Sequence, residues 1–254
     1  MRFSHVLLTR PLEQSRELAA LLAPLGLETV IQPAFSYAGV DAAAEQAEEL
    51  GRLVSAGPAG LVLFTSPRAV AFGLPQLPAE ALGRCRVGAI GPATARALTD
   101  AGIHVSVTPV NGYTSEALLA TLEAEGSGQL VGDPEAFIIA APGGRDKLAN
   151  GLGRLGWDTR KILVYKAKPA ALDKASLKRL EQADGLLSVW TSANTMNALS
   201  QRVPPATWFR ICQGDWLVIS GRLQRLARAF GPAAIHLAAG PGNPSILTAV
   251  RGLL

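Results

Sequence analysis

Short runs of apolar residues alternate along this chain with longer stretches in which apolar positions recur every 3.6 residues or so. The runs predict strands at 5–9, 28–32, 61–65, 86–90, 103–107, 136–140, 159–166, 186–191, 216–219 and 234–238. The stretches between them predict helices, as in Leu18, Leu21, Leu22 and Leu25, or Leu148, Leu152 and Leu155. This alternation is the signature of βα units feeding a parallel sheet. Many predicted helices begin at a turn or cap residue just after a strand: Arg10-Pro11, Ser66-Pro67, Gly91-Pro92, Thr114-Ser115, Pro142-Gly143-Gly144, Ser192, Ser220-Gly221 and Pro244-Ser245. At such a junction unpaired backbone N–H groups and the positive end of the helix face outward together, which favours an anion. Two long stretches break the rhythm, Ala42 to Ser55 after Pro33–Tyr37 and Leu172 to Ala183 after Leu163–Lys168. Both are places where the chain can cross between domains. The segments around Pro58, Pro75 and Pro78, and from Gly126 to Pro134, read as surface loops.

The pattern also repeats. Leu61-Val-Leu-Phe-Thr-Ser-Pro-Arg-Ala-Val70 is echoed by Leu187-Ser-Val-Trp-Thr-Ser-Ala-Asn-Thr-Met196, and Ala101-Gly-Ile-His-Val105 returns as Pro232-Ala-Ala-Ile-His-Leu237. A fainter pair sets Val6–Arg10 and Leu25-Gly-Leu-Glu28 against Phe137–Ala140 and Leu155-Gly-Trp-Asp158. Three blocks in one order and at nearly one spacing predict two copies of a domain rather than a solenoid. Sites tend to form where such domains meet.

A chain of 254 residues with 48% apolar and 17% charged residues can bury one or two ordinary cores. No apolar run is long enough to span a bilayer, and Met1–His5 leads into a strand, so a cytoplasmic protein with no membrane association is expected. The net charge of +4 and pI near 9.3 suggest an anionic partner. The charges are scattered rather than gathered into a stripe with aromatic platforms, which argues against nucleic acid. Cys85 and Cys212 lack CxxC spacing and read as buried free thiols.

Candidate chemistry is sparse. Gly151-Leu-Gly-Arg-Leu-Gly156 matches G-x-G-x-x-G, but it ends a predicted helix instead of opening one, so it reads as a small helix face with a C-terminal cap. His5, His104 and His236 each lie beside or within an apolar strand and read as structural, which leaves a Ser-His-Asp mechanism without its base. No spacing suggests a metal, and no cofactor is expected. What remains is a set of hydroxyls, glycines and a few cations at strand ends. Thr65 and Ser66 with Arg68 form one group, and Thr191 and Ser192 with Asn194 form its counterpart. Ser66 and Ser192 fit either as helix caps or as ligand contacts, and the two roles are compatible. Arg10 can meet a carboxylate or make a surface ion pair. Gly143-Gly144-Arg145 can give close backbone approach or a plain turn. The Tyr165 ring is expected to pack, with its hydroxyl free to face a cleft.

Together Thr9-Arg10-Pro11, Phe64–Val70, Val87-Gly-Ala-Ile-Gly-Pro-Ala-Thr-Ala-Arg-Ala-Leu98, Ala101-Gly102, Ser115-Glu116, Leu163-Val-Tyr165 and Ser220-Gly-Arg222 resemble the uroporphyrinogen-III synthase family over nearly the whole chain. The resemblance implies two similar parallel-sheet α/β domains joined by a two-stranded β ladder, with the active site in the interdomain cleft. It also implies that a cut near residue 130 is wrong: one domain would be 1–35 with 169–254, and the other 36–168. The crossings would be Gln32 to Ala38 and Leu163 to Lys168.

The implied substrate is hydroxymethylbilane, a linear tetrapyrrole with acetate and propionate side chains, which is dehydrated and cyclised with inversion of ring D through a spiro intermediate. Such a bilane loses its hydroxyl readily and closes unaided to isomer I, so the enzyme has to hold a shape more than supply an acid. The family match assigns the hydroxyl donor to Tyr165 and sets Thr94, Ser66, Ser192 and Ser220 at hydroxyl-bearing positions near the cleft; with Arg10, Thr65, Ser115, Gly143 and Gly144 at the other strand ends, these are the expected substrate contacts. The chain departs from the pattern where Ser220-Gly-Arg-Leu223 stands opposite Gly91-Pro-Ala-Thr94, so the role of Thr94 has no counterpart at Leu223. A monomer in transient contact with the preceding pathway enzyme is implied. The rival reading is a two-domain protein that closes on a small anion without reacting it. A metabolite- or DNA-binding regulator is a third, weakened by the lack of a basic recognition helix.

Overall fold

The computed structural model describes residues 2–126, 134–143 and 146–254. In chain order its elements are β1 (His5–Leu8), α1 (Leu12–Leu22), β2 (Glu28–Ile31), β3 (Phe35–Gly39), α2 (Ala42–Glu45), α3 (Ala47–Ser55), β4 (Leu61–Phe64), α4 (Pro67–Gly73), α5 (Ala79–Arg84), β5 (Arg86–Ala89), α6 (Pro92–Asp100), α7 (Ser115–Ala124), β6 (Glu135–Ala140), α8 (Lys147–Arg154), β7 (Asp158–Leu163), β8 (Tyr165–Pro169), α9 (Lys174–Gln182), β9 (Leu186–Trp190), α10 (Ala193–Arg202), α11 (Pro205–Gln213), β10 (Asp215–Val218), α12 (Gly221–Ala227), β11 (Ala234–Leu237) and α13 (Asn243–Arg251).

The strands form a five-stranded sheet in the order β11-β10-β9-β1-β2, a four-stranded sheet in the order β5-β4-β6-β7, and a ladder of β3 with β8. All pairs within the two larger sheets are parallel. In the ladder, Val40 N–H donates to Val164 C=O at one end and Ala170 N–H donates to Ala34 C=O at the other, which is an antiparallel register. The chain divides into two compact units, Met1–Ser36 with Lys168–Leu254, and Tyr37–Ala167. Both dividing points fall within the ladder.

Unbroken apolar runs become strands buried on both faces, because successive side chains point to opposite sides of the sheet. In the first unit Leu7, Val30, Trp190, Trp216 and Val218 enter one cluster, while Val6, Leu8, Leu187, Val189 and Leu217 enter the cluster across the sheet. In the second unit Val62, Phe64, Phe137 and Ile139 face one side, and Leu61, Leu63, Ala136 and Ile138 the other. Each fully buried Leu, Val or Phe contributes roughly 1.5–3 kcal/mol.

The repeat explains the strand orders. In the first unit β1 and β2 are followed after an excursion by β9, β10 and β11; in the second, β4 and β5 come first and β6 and β7 after. Matching β6 and β7 to β1 and β2, and β4 and β5 to β9 and β10, makes the two sheet orders the same, so the units are circular permutations of one plan.

Several expectations are corrected. Residues 103–107 form no strand; only an isolated parallel bridge of Val107 to Gly88 stands where the first unit has β11. Gly88 allows this approach, since a Cβ there would lie 2.5 Å from Leu63 Cδ2 and 3.2 Å from Val107 Cβ. The single strand expected over 159–166 is two strands in different sheets, parted at Val164. The helix expected over 42–55 breaks at Gln46, whose side chain instead bonds both the N–H and the C=O of Leu163. The glycine motif lies at the end of α8, where Gly156 takes φ 92°, as a C-terminal cap requires. Cys212 is half-buried rather than buried, and burial pushes its thiol up to about 11. Of the histidines, His5 lies 3.2 Å from Glu28 and His236 lies 2.6 Å from Asp215, whereas His104 is exposed on a loop. Most of the loop expected from Gly126 to Pro134 lies outside the described residues.

Candidate active site

In each sheet most C-terminal strand ends lead toward helices, while β2 and β7 run on to the ladder strands, and the candidate residues gather at these ends. After β4, Thr65 and Ser66 remain extended, with Ser66 at φ −163° and ψ 162°, and Pro67 starts α4 with φ already fixed for a helix. Ser66 Oγ accepts the N–H of Ala69 at 3.1 Å, which is the expected capping bond. The same oxygen lies 3.1 Å from the hydroxyl of Tyr165. Thr65 Oγ1 donates to Ile139 C=O at 3.0 Å and so pegs the end of β4 to β6.

Tyr165 opens β8 and is 8% exposed. Its ring stacks on Phe72 with centroids 5.7 Å apart and meets Tyr37 edge-on at 5.8 Å. The Arg68 guanidinium lies 4.0 Å over the Tyr37 ring, a cation–π contact that fixes the outer wall of this aromatic group. The phenol is thus held by packing on its faces and by Ser66 at its oxygen.

Tyr165, Thr65, Ser115 and Gly143 line one cavity of about 580 Å³ at the C-terminal edge of the four-stranded sheet. Ile90, Ile138, Leu148 and Leu163 give it apolar walls, and Lys161 contributes a cation. Ser115 is the first residue of α7, whose cap is Thr114, with Oγ1 accepting Ala117 N–H at 3.2 Å. Gly143 has φ 78°, a conformation that glycine adopts without strain. Gly144 and Arg145, singled out with it, lie outside the described residues. Thr94 does not join this group: it is the third residue of α6, 4% exposed, and absent from the cavity wall.

The other candidates lie at the corresponding edge of the five-stranded sheet. Arg10 follows β1, with one terminal nitrogen donating to Asn243 Oδ1 at 2.6 Å and its buried Nε without a partner. Burial lowers its pKa, and the charge of Glu17 opposes that shift. Ser192 caps α10 by position but makes no side-chain capping bond. Ser220 caps α12, its Oγ accepting Leu223 N–H at 3.3 Å. Gly91 holds the equivalent place before α6, and three residues on Thr94 stands opposite Leu223, which carries no hydroxyl and so cannot share its role.

Sequence reasoning missed Lys161, Tyr37 and Phe72. No motif flags them; only the parity of β7, where Lys161 and Leu163 share a face, could have placed Lys161 with Leu163 at the cavity wall. Burial raises the thiol pKa of both cysteines, so neither is a ready thiolate. Among the described residues no three His, Cys, Asp or Glu side chains are grouped to hold a metal ion.

Residues 16–247 match the model of the uroporphyrinogen-III synthase HemD family. The chain is 27% identical over 253 residues to the uroporphyrinogen-III synthase of Escherichia coli K12, covering 97% of this chain and 99% of that one. It is 30% identical over 258 residues to the Salmonella typhimurium synthase, with the same coverage. Among solved structures, uroporphyrinogen-III synthetase from Helicobacter pylori aligns over 100% of both chains with a TM-score of 0.62 at 15% identity. A mutant uroporphyrinogen III synthase from Thermus thermophilus aligns over 98% of both with a TM-score of 0.57 at 20% identity. These two likenesses speak to the fold alone.

Proposed function

Because this chain belongs to the uroporphyrinogen-III synthase family, we propose that it is a cyclising hydro-lyase, working as a cytoplasmic monomer, that turns hydroxymethylbilane into uroporphyrinogen III. The observation that carries this reading is the match through nearly the whole length, residues 16–247, joined to 30% identity with a synthase over 97% of the chain. Family membership displaces the alternative of a protein that only binds a small anion.

The chemistry suits the residues at hand. Ring closure expels the bilane hydroxyl as water, and the electron-rich pyrroles drive that loss without a strong acid. The protein's part is to hold rings A to C while ring D is attacked through its substituted carbon, forming the spiro intermediate before reopening and closing inverted. Backbone amides at the N-termini of α1, α6, α7 and α10 are suited to the acetate and propionate groups. Arg10, Ser115, Gly143, Ser192 and Ser220 supply further contacts. Tyr165, backed by Ser66, donates a hydrogen bond to the departing hydroxyl, which lowers the charge developing on that oxygen. In this reading the working domains are 1–35 with 169–254, and 36–168.

The test is to incubate the protein with freshly prepared hydroxymethylbilane, oxidise the products and separate the uroporphyrin isomers by chromatography. Dominant isomer III, against a protein-free control that gives isomer I, is expected. Isomer I alone from folded protein would refute the reading.

A further inference from the structure

Lys161 is the one charged side chain among the thirteen described residues lining the cavity beside Tyr165. It lies on β7, opposite Ile138 of β6, in a lining whose other polar side chains are the hydroxyls of Thr65, Ser115 and Tyr165. Its ammonium is paired with the carboxylate of Asp146, just ahead of α8. The pair is lopsided. The lysine side chain is 36% exposed and the aspartate 69%, and Asp146 caps nothing with its side chain although it occupies the capping position. The pair itself is open to solvent, with Lys161 in the lining of the cavity and Asp146 outside it.

We propose that Lys161 is the docking point for one acetate or propionate arm of the substrate, and that Asp146 is its resting counter-ion, displaced when that arm arrives. The argument is an exchange of partners. Breaking an exposed ion pair costs about 0–1 kcal/mol, since water takes up the released aspartate. A substrate carboxylate drawn into a cavity with no other charged side chain among its described residues gives up part of its hydration, and a cation at the cavity lining offsets that loss. Lys161 supplies the cation in the same cavity that Tyr165 lines, as a binding contact rather than a part of the chemical step. This rests on the function proposed above.

The experiment measures steady-state isomer III formation by the full-length protein and by the Lys161→Gln, Lys161→Arg and Asp146→Asn variants. Lys161→Gln is expected to raise KM about tenfold or more, the loss of a charge-assisted hydrogen bond, with kcat within about twofold. Lys161→Arg is expected to restore most of the affinity. Asp146→Asn is expected to lower KM, because the lysine no longer has a competing anion. A purely structural ion pair would behave differently: both neutral variants would raise KM alike, and that result overturns the proposal. An unchanged KM in Lys161→Gln overturns it too. Should Lys161→Gln fail to fold, the direction of change in Asp146→Asn still decides. Wild-type protein that yields only isomer I refutes the function itself, a separate outcome.

Discussion

Ser66 Oγ serves two partners, and a double-mutant cycle with Tyr165 separates them. Ser66→Ala removes the cap on Ala69 N–H, worth about 1 kcal/mol, and the bond to the Tyr165 hydroxyl, worth about another 1 kcal/mol between neutral groups. Tyr165→Phe removes only the second and keeps the stacking on Phe72 and the edge contact with Tyr37. The expected losses are therefore about 2 kcal/mol for Ser66→Ala, about 1 for Tyr165→Phe and about 2 for the pair, leaving a coupling of about 1 kcal/mol. Melting temperature falls by roughly 2–4 °C for each kcal/mol in a chain of this size. Hydrogen exchange at the amides of β4 and β6 reports the opening of the unit that holds both residues. Activity splits the other way. Tyr165→Phe slows isomer III formation about tenfold, short of the 10²–10⁴ range of full acid catalysis because the bilane expels hydroxyl readily. Ser66→Ala slows it less, since the phenol stays and binding is spread over many amides. Strictly additive stability losses would refute the shared bond. A normal rate in Tyr165→Phe would remove Tyr165 from the reaction, and total inactivity in folded Ser66→Ala would contradict distributed binding.

Two further outcomes follow from particular positions. A Cβ at Gly214 would lie 2.5 Å from the carbonyl oxygen of Leu186, backbone that cannot swing away, whereas one at Gly153 in α8 would meet nothing within 4 Å. Urea unfolding should show Gly214→Ala destabilised by about 1–3 kcal/mol and Gly153→Ala stabilised by about 0.5–1 kcal/mol. The Lys147 ammonium, 2.8 Å away, holds the Glu116 carboxyl down at about 2 from its ordinary 4.5. Because the folded pKa is the lower one, the stabilisation is fully present above about 4.5 and is lost as pH falls toward 2. Carbon-detected NMR titration of Lys147→Met should show the Glu116 pKa rising, and an unmoved value would discard the pairing.

The parts of the fold that bury apolar surface were legible. Strands such as Leu61–Phe64 and Leu186–Trp190 are unbroken apolar runs, and the echo of residues 61–70 in 187–196 marks the two copies. The ladder was not legible from periodicity, because β8 buries Tyr165 and exposes the four residues after it, so Lys166 and Lys168 carry no apolar pattern. Its place came only through the family resemblance. Residues 103–107 failed for the opposite reason. Ile103, Val105 and Val107 alternate as a strand should, yet the Ser106 side chain takes both the N–H and the C=O of Val87, and regular pairing stops there. At the site, capping residues could be named from the turn chemistry of strand ends. Lys161 could not, since its importance comes from what the cavity lacks around it.

The permuted strand order also governs the timing of synthesis. β1 sits between β2 and β9, so it gains one neighbour soon after it is made and waits for the other until residue 186 has been made. At about 5–20 residues per second that interval lasts roughly 10–35 s. Meanwhile β4 to β7 emerge as one continuous stretch and can complete their own sheet. The nascent unit of β1, α1 and β2 thus carries an unpaired apolar strand edge, Val6, Leu7 and Leu8, until β9 is made.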